Sequence, residues 1–374
     1  VEVVAPKKSG RVDCPAALEV APDAPALLWL SSNEEIRPDR ICAAAAIDAA
    51  RDQWEATRVL VSGAWDGRAA GGGNHPRWVA LRQPAPARRY VPAGRRWIFP
   101  RPDGTRDHWT VFAWDGFFNA LLASLDDHAL ACDMVEAVLD TQYPSGNVPN
   151  WRSRLGGTPD RSQPPIGAFV VSRLVLRSGG LALARRALPR LQRWHAWWSG
   201  DGTRTGRRRP SGLYAWGSDV DEVNAWVPSW ERDASHRQKA AWESGQDDLP
   251  NWDGVEWDHT TNTLALDCVD LSALLALDAE CLAVLLELTG DADRGAAYRR
   301  EHARLCALID AHLWDEARGV YADRLPDGRF SDRIAASNFY PLLAGAAQGT
   351  RLARALDALT DPHLFWGTWV VPTL

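Results

Sequence analysis

Residues 269–314 constrain the fold more than any other part of the chain. The segment "DLSALLALDAECLAVLLELTG" is apolar on more than one face, and "DADRGAAYRREHARLCALIDAHLW" follows it with no linker. Gly290 stands where a left-handed C-cap ends one helix, and Asp291 stands where the next begins. Two long helices joined this tightly form an antiparallel hairpin. A helix that is apolar around most of its circumference must be covered on several sides, as an inner helix of a layered all-α fold is.

The pattern recurs. "FFNALLASL" and "HALACDMVEAVLDT" begin the helical part near residue 115. "IGAFVVSRLVL" and "LALARRALPRLQRWHAWW" flank a Gly-Gly break, and "ASNFYPLLAGAA" precedes "GTRLARALDAL". Between the pairs lie loops rich in Gly, Pro, Trp and Asp, at 140–165, 201–262 and 361–374. Loops of this length in a compact domain are usually functional. The expected architecture is an all-α toroid of helical hairpins with the site where the loops converge. Eight or nine helices are readable after residue 110, whereas six closed hairpins need twelve, so the ring is expected to be open or incomplete at its C-terminus. Residues 1–100 differ: a Pro-rich start, a helix over 41–57, then short apolar runs broken by Gly and Pro. They are expected to form a small mixed α/β region ahead of a helical domain over 101–374.

Several functions are disfavoured at once. The formal net charge is -6, where a nucleic-acid binder is more often basic. The one basic run, Arg204–Arg209 in "RTGRRRP", reads as a solvated loop. No apolar run reaches the roughly 18–20 residues of a membrane span. Nine histidines and six cysteines show neither C-x-x-C nor H-E-x-x-H spacing, so no metal and no other cofactor is expected. Cys268, Cys281 and Cys306 read as small core residues. The chain starts at Val1, so a leader peptide would already be gone. The compartment is unread, with the cytoplasm favoured, and the oligomeric state is unread too.

Tryptophan is the compositional outlier, with 20 residues against 6 Tyr and 8 Phe. Some belong to the core, but Trp114, Trp216, Trp242, Trp252 and Trp366 sit in loops beside Gly, Pro or acids. As a set they suit a sugar, whose C–H face stacks on an indole while acids and amides bond its hydroxyls. Four stretches concentrate this chemistry. In "VFAWDGFF" Asp115 lies near a helix N-terminus, which stabilises a carboxylate. In "SGNVPNWRSRLGGTPDRSQPPIGAFVV" the side chains of Asn150, Arg152, Arg154, Arg161 and Gln163 crowd a rigid loop, and Pro164-Pro165 opens a helix. "GLYAWGSDVDEVNAW" repeats the Gly-Trp-acid theme and is equally readable as a turn. "WESGQDDLPNWD", 242–253, carries four carboxylates, with Gly245 allowing a tight backbone. One of the adjacent Asp247 and Asp248 could serve alone as a general acid, if burial against Trp242 and Trp252 keeps it protonated.

In this order the four stretches resemble the trehalase and glycoside hydrolase family 63 group of (α/α)6 glycosidases. "AWDGFF" is similar to the group's Trp-Asp motif, "GNVPN…DRSQPP" to its Gly-x-Ile-Pro-Asn…Arg-Ser-Gln-Pro-Pro block, and "WESGQDDLP" to Glu-Ser-Gly-x-Asp. "NFYPLLAG" and "HLFWGTWVVPTL" resemble the approach to the group's C-terminal part, so the similarity spans roughly 108–374. The spacing looks closer to bacterial family 63 members, including hydrolases of mannosylglycerate and glucosylglycerate, than to trehalase proper. The resemblance implies an inverting α-glycosidase acting on a small α-glucoside or α-mannoside. It makes Asp247 the general acid and Asp115, Asn150, Arg161 and Gln163 the holders of the glycone. Trp114, Trp216 and Trp366 would line the pocket, with Gly245 shaping the loop. It places the general base, a Glu, C-terminal to residue 374. Leu249 replaces the group's small Ser and Asp248 its Asn or aromatic residue, so a substrate that differs from the group's is expected. Glu243 reads as scaffold. The alternative is a non-catalytic carbohydrate-binding toroid. A lyase or phosphorylase on the same fold would need a phosphate loop or a Tyr/His pair, neither of which is evident. The expected partner is a small carbohydrate.

Overall fold

The computed structural model describes residues 80–83, 88–92, 110–153, 156–200, 206–219, 229–247 and 249–368, together with Asp48 and Asp52. The chain divides into two compact units, 1–66 and 67–374. Everything below concerns the second. Of the helix expected over 41–57, Asp48 and Asp52 are helical and the rest lies outside the described residues.

The helical hairpins are present. Helices α1 (Ala113–Ala123) and α2 (His128–Leu139) form the first, α3 (Gly167–Ser178) and α4 (Ala182–Ser199) the second. Helices α7 (Val269–Thr289) and α8 (Ala292–His312) form the third, and shorter α9 (Tyr340–Leu343) and α10 (Gly349–Leu359) follow. Helix α7 is buried along most of its length and packs on α3, α4, α8 and α9. Helix α8 buries only Gly295, Leu305 and Ile309 and covers it from outside. Helix α1 packs on α3 and α3 on α7, so an inner row of three is backed by α2, α4 and α8. This is the hairpin layering of an (α/α)6 toroid. Gly290 ends α7 at φ 95°, and the Asp291 carboxylate accepts from the Arg294 N–H to start α8, as the sequence predicts.

A short antiparallel hairpin, β1 (Leu81–Gln83) with β2 (Arg88–Tyr90), lies against α2. Arg88 pairs with Glu136 and Asp140, and Arg89 with Asp127 and Asp133, all from α2 or its two caps. Three further two-residue pairs pin loops to helix ends: β3–β4 (111–112 with 151–152), β5–β6 (257–258 with 263–264) and β7–β8 (314–315 with 320–321).

Two expectations change. The stretch 201–262 is not one loop. It holds α5 (Ser229–Arg232) and α6 (His236–Glu243). The Ser235 hydroxyl caps α6 by accepting from the Gln238 N–H, an S-x-x-Q signature readable in the sequence. Nor is "RRR" a solvated run. Arg207 is completely buried, Arg208 exposed and Arg209 in between. The three sit on one arm of a tight hairpin in which Arg208 faces Tyr214, and extended backbone sends alternate side chains to opposite faces.

A buried histidine also ties the outer helices α4 and α8 to inner α7. His195 of α4 contacts Asp278 of α7 at 2.7 Å and Glu301 of α8 at 3.2 Å. Burial alone would lower the imidazole, but these two carboxylates outweigh it and raise it to about 9.

Candidate active site

Three segments from elsewhere in the sequence converge on the Glu243 carboxylate at the end of α6. It is fully buried and accepts four hydrogen bonds: Ser162 N–H at 2.9 Å, Gly217 N–H at 2.7 Å, and Arg207 through Nε at 2.7 Å and Nη2 at 2.9 Å. Each donor comes from a different quoted region: Ser162 from SQPP, Gly217 from GLYAWGSD, Arg207 from RRRP. Arg207 is held further by Asp219 at 2.7 Å and by the Asp160 carbonyl at 2.9 Å, with its plane over Trp197. A buried ion pair is tolerable only when its remaining donors and acceptors are also satisfied, and here they are. Glu243 is therefore scaffold, as its sequence context suggests.

The acid loop leaves this anchor at once. The Ser244 hydroxyl accepts from the Gln246 N–H at 3.0 Å. Gly245 has φ 70°, and a Cβ there would stand 3.1 Å from the indole of Trp114. Both facts favour glycine: the backbone is left-handed and the neighbouring ring leaves little room. Gln246 is tied on every side. Its amide N–H2 donates to Asp270 at 2.8 Å, its oxygen accepts from Ser337 at 3.2 Å and Asn251 at 3.3 Å, and its backbone carbonyl accepts from Leu249 N–H at 3.0 Å. Asp247, next in the chain, is exposed in the turn. The expected burial of Asp247 against Trp242 and Trp252 is not found: Trp252 packs into the core and Asp247 remains exposed. Asp248 lies outside the described residues.

The proposed sugar holders divide. Trp114 and Asp115 stand half-buried in the first turn of α1. Burial raises the Asp115 carboxyl against the pull of its own backbone N–H, so the helix N-terminus does not dominate there. The Gln163 side-chain oxygen accepts from the Trp114 N–H at 3.0 Å and so fixes that turn. Asn150 is buried and donates to the Trp242 carbonyl at 3.0 Å, tying the loop to α6. Arg161 is buried too, paired with Asp160 at 3.0 Å and with Glu231 at 2.7 Å, and stacked over Trp242. These three buried side chains hold the loop that carries the site. Trp216 is a correction: it is 0% exposed, with its indole N–H on Asp270, so it offers no face to a ligand in this structure. Trp366 is 48% exposed in the turn after α10.

Sequence reasoning missed two carboxylates. Asp270, in the first turn of α7, is buried and accepts from the Trp216 indole, the Leu271 N–H and Gln246. Asp323 is buried beside it and accepts from the Val269 N–H. Burial raises both, and the charge of Asp270 raises Asp323 further. A lone Asp at the start of an apolar helix reads as an ordinary N-terminal acid, which conceals the role.

Comparison with known proteins agrees with this architecture. Residues 108–374 match the model of the "mannosylglycerate hydrolase MGH1-like glycoside hydrolase domain". The chain is 31% identical over 281 residues to a periplasmic trehalase of Xanthomonas oryzae, covering 67% of this chain and 47% of that protein. It is 28% identical to a putative periplasmic trehalase of Salmonella typhi, covering 83% and 56% respectively. The chain thus spans about half the length of the curated relatives it matches. In fold it is similar to the family 63 mannosylglycerate hydrolase of Thermus thermophilus, solved with glucose (TM-score 0.51, 20% identity, 67% of this chain and 68% of that one). It is similar too to the neutral trehalase of Saccharomyces cerevisiae (TM-score 0.54, 17% identity, 74% and 57%). The relatives' names overturn the expected cytoplasmic placement: both bacterial trehalases are named periplasmic. With most of its length, including every described element of the hairpin array, inside the match, the chain belongs to the MGH1-like glycoside hydrolase family.

Proposed function

We propose that the protein is an inverting α-glycosidase in which Asp247 is the general acid. The observation that carries this reading is an exposed aspartate on a turn whose neighbours are immobilised by buried bonds. Glu243 anchors one side of the turn and Gln246 the other. A general acid must present its proton to the glycosidic oxygen within a narrow geometry, and fixed neighbours supply that. A second carboxylate, roughly 6.5–9.5 Å from the first, activates water on the opposite face of the sugar. Trp114, whose indole lies against Gly245, offers a ring edge to the glycone, and its half-buried neighbour Asp115 an acceptor.

The substrate class is a small α-glucoside or α-mannoside. The names of the relatives make trehalose and mannosylglycerate the first candidates, and the periplasm the compartment in which to look. The test is product release from a panel of α-linked glucosides, mannosides and glycosyl-glycerates, with the first-formed anomer read by NMR. The expected result is release with inverted configuration, and an Asp247→Asn variant reduced roughly 10²–10⁴-fold. Unchanged turnover in Asp247→Asn would remove Asp247 from the mechanism. Sugar binding without product release would replace the glycosidase by a carbohydrate-binding protein.

A further inference from the structure

We propose that Asp270 is a positioning residue for the acid loop, fixing the Gln246 amide and through it the backbone that presents Asp247. The kinetic side of the proposal rests on Asp247 being the acid, whereas the structural side stands without it.

Four contacts carry the argument. The Asp270 carboxylate is itself oriented before it meets the loop: one oxygen takes the Leu271 N–H at 2.7 Å and the Trp216 indole at 3.0 Å. The other takes the indole at 3.1 Å and Gln246 Nε2 at 2.8 Å. It is 2% exposed and sits on the most buried helix, so it moves only if α7 moves. Three donors converge on the two oxygens, and no proton on Asp270 is required by any of them. The remaining side-chain atom of Gln246 is held by Ser337 and Asn251. The loop therefore takes its register from the rigid interior through a single buried acceptor, which is how a precise surface turn is built on a scaffold.

The donor and acceptor pattern gives a decisive experiment. In Asp270→Asn, the oxygen that keeps the Leu271 N–H and the indole leaves an NH2 facing the NH2 of Gln246, two donors with no acceptor. Combining it with Gln246→Glu reverses the pair and restores one donor and one acceptor. The intact chain is followed by hydrogen exchange of the 244–249 backbone and by steady-state kinetics on whichever panel substrate is turned over. Asp270→Asn is expected to speed exchange in 244–249 about tenfold or more and to lower kcat roughly 10- to 100-fold, with KM changed less than about threefold. The double variant is expected to recover both. A merely structural Asp270 would lower the melting temperature without that rescue. Should Asp270→Asn fail to fold, Gln246→Leu removes the same tether from the loop side. Unchanged exchange in the folded variant, or a double variant no better than the single one, overturns the proposal. If Asp247→Asn retains full turnover, the catalytic reading fails by itself and the exchange result still decides the positioning role.

Discussion

Glu243→Gln tests whether one buried carboxylate joins its own helix end to the segments of Ser162, Arg207 and Gly217. The two oxygens of Glu243 each receive two donors: Oε1 takes Ser162 N–H and Arg207 Nη2, and Oε2 takes Gly217 N–H and Arg207 Nε. Glutamine has one oxygen, so either orientation of its amide sets an NH2 against a backbone N–H and a guanidinium N–H. Removing one partner of a buried ion pair costs about 3–5 kcal/mol, and each stranded buried donor about 1–3 kcal/mol. Arg207 keeps Asp219 and the Asp160 carbonyl, which soften the loss. The expected destabilisation is therefore about 3–4 kcal/mol. In urea, with a slope of about 3 kcal/mol per molar, the midpoint should fall by about 1 M with the slope unchanged. A fall of less than about 0.3 M would refute the reasoning, because it would mean that the carboxylate's charge is not what holds these four segments together.

Two further outcomes follow from the same structure. His195 is held near 9, above its ordinary 6.5, so its contribution is complete below about pH 6.5 and fades as pH rises through about 9. That gap sets a ceiling of about 3 kcal/mol. Denaturation midpoints measured from pH 6 to 10 should fall across this window, and His195→Gln should flatten the fall. Gly245→Ala should cost about 1–2 kcal/mol for its left-handed backbone and displace the Trp114 indole, lowering the melting temperature and shifting tryptophan fluorescence. An unchanged melting temperature would show that the turn is not fixed as described.

The hairpins were legible because helix punctuation is local. Gly290 and Asp291 mark a boundary that no tertiary contact needs to explain. Helix α6 was equally local, but its Ser235 cap was hidden in a region whose composition suggested a loop. The site was legible only as a set of motifs. What each residue does within it depends on partners far away in sequence. Arg207 and Glu243 are both charged and both fully buried, and only their mutual contact makes that tolerable. Composition could therefore not separate Arg207 from its exposed neighbour Arg208. Trp216 failed in the opposite sense: a Trp beside Gly and acid suits a sugar, yet this one spends its indole N–H on Asp270 inside the core.

If Asp247 is the general acid proposed above, its exposure bears on how its acidity arises. A buried proton donor holds its proton because the protein has removed water from it. Asp247 lies open to solvent on a turn whose neighbours Glu243 and Gln246 are locked in the interior. On such a turn fixed neighbours supply position, and whatever covers the turn adds desolvation. On the proposal that Asp247 is the general acid, a sugar seated against Trp114 would exclude further water from its carboxyl in the complex. The free and bound enzyme should then differ in their pH profiles: kcat should hold to a higher pH than kcat/KM does, because kcat reports the covered acid and kcat/KM the free one. Coincident alkaline limbs would mean that the acidity is set before the sugar arrives, contrary to an exposed Asp247.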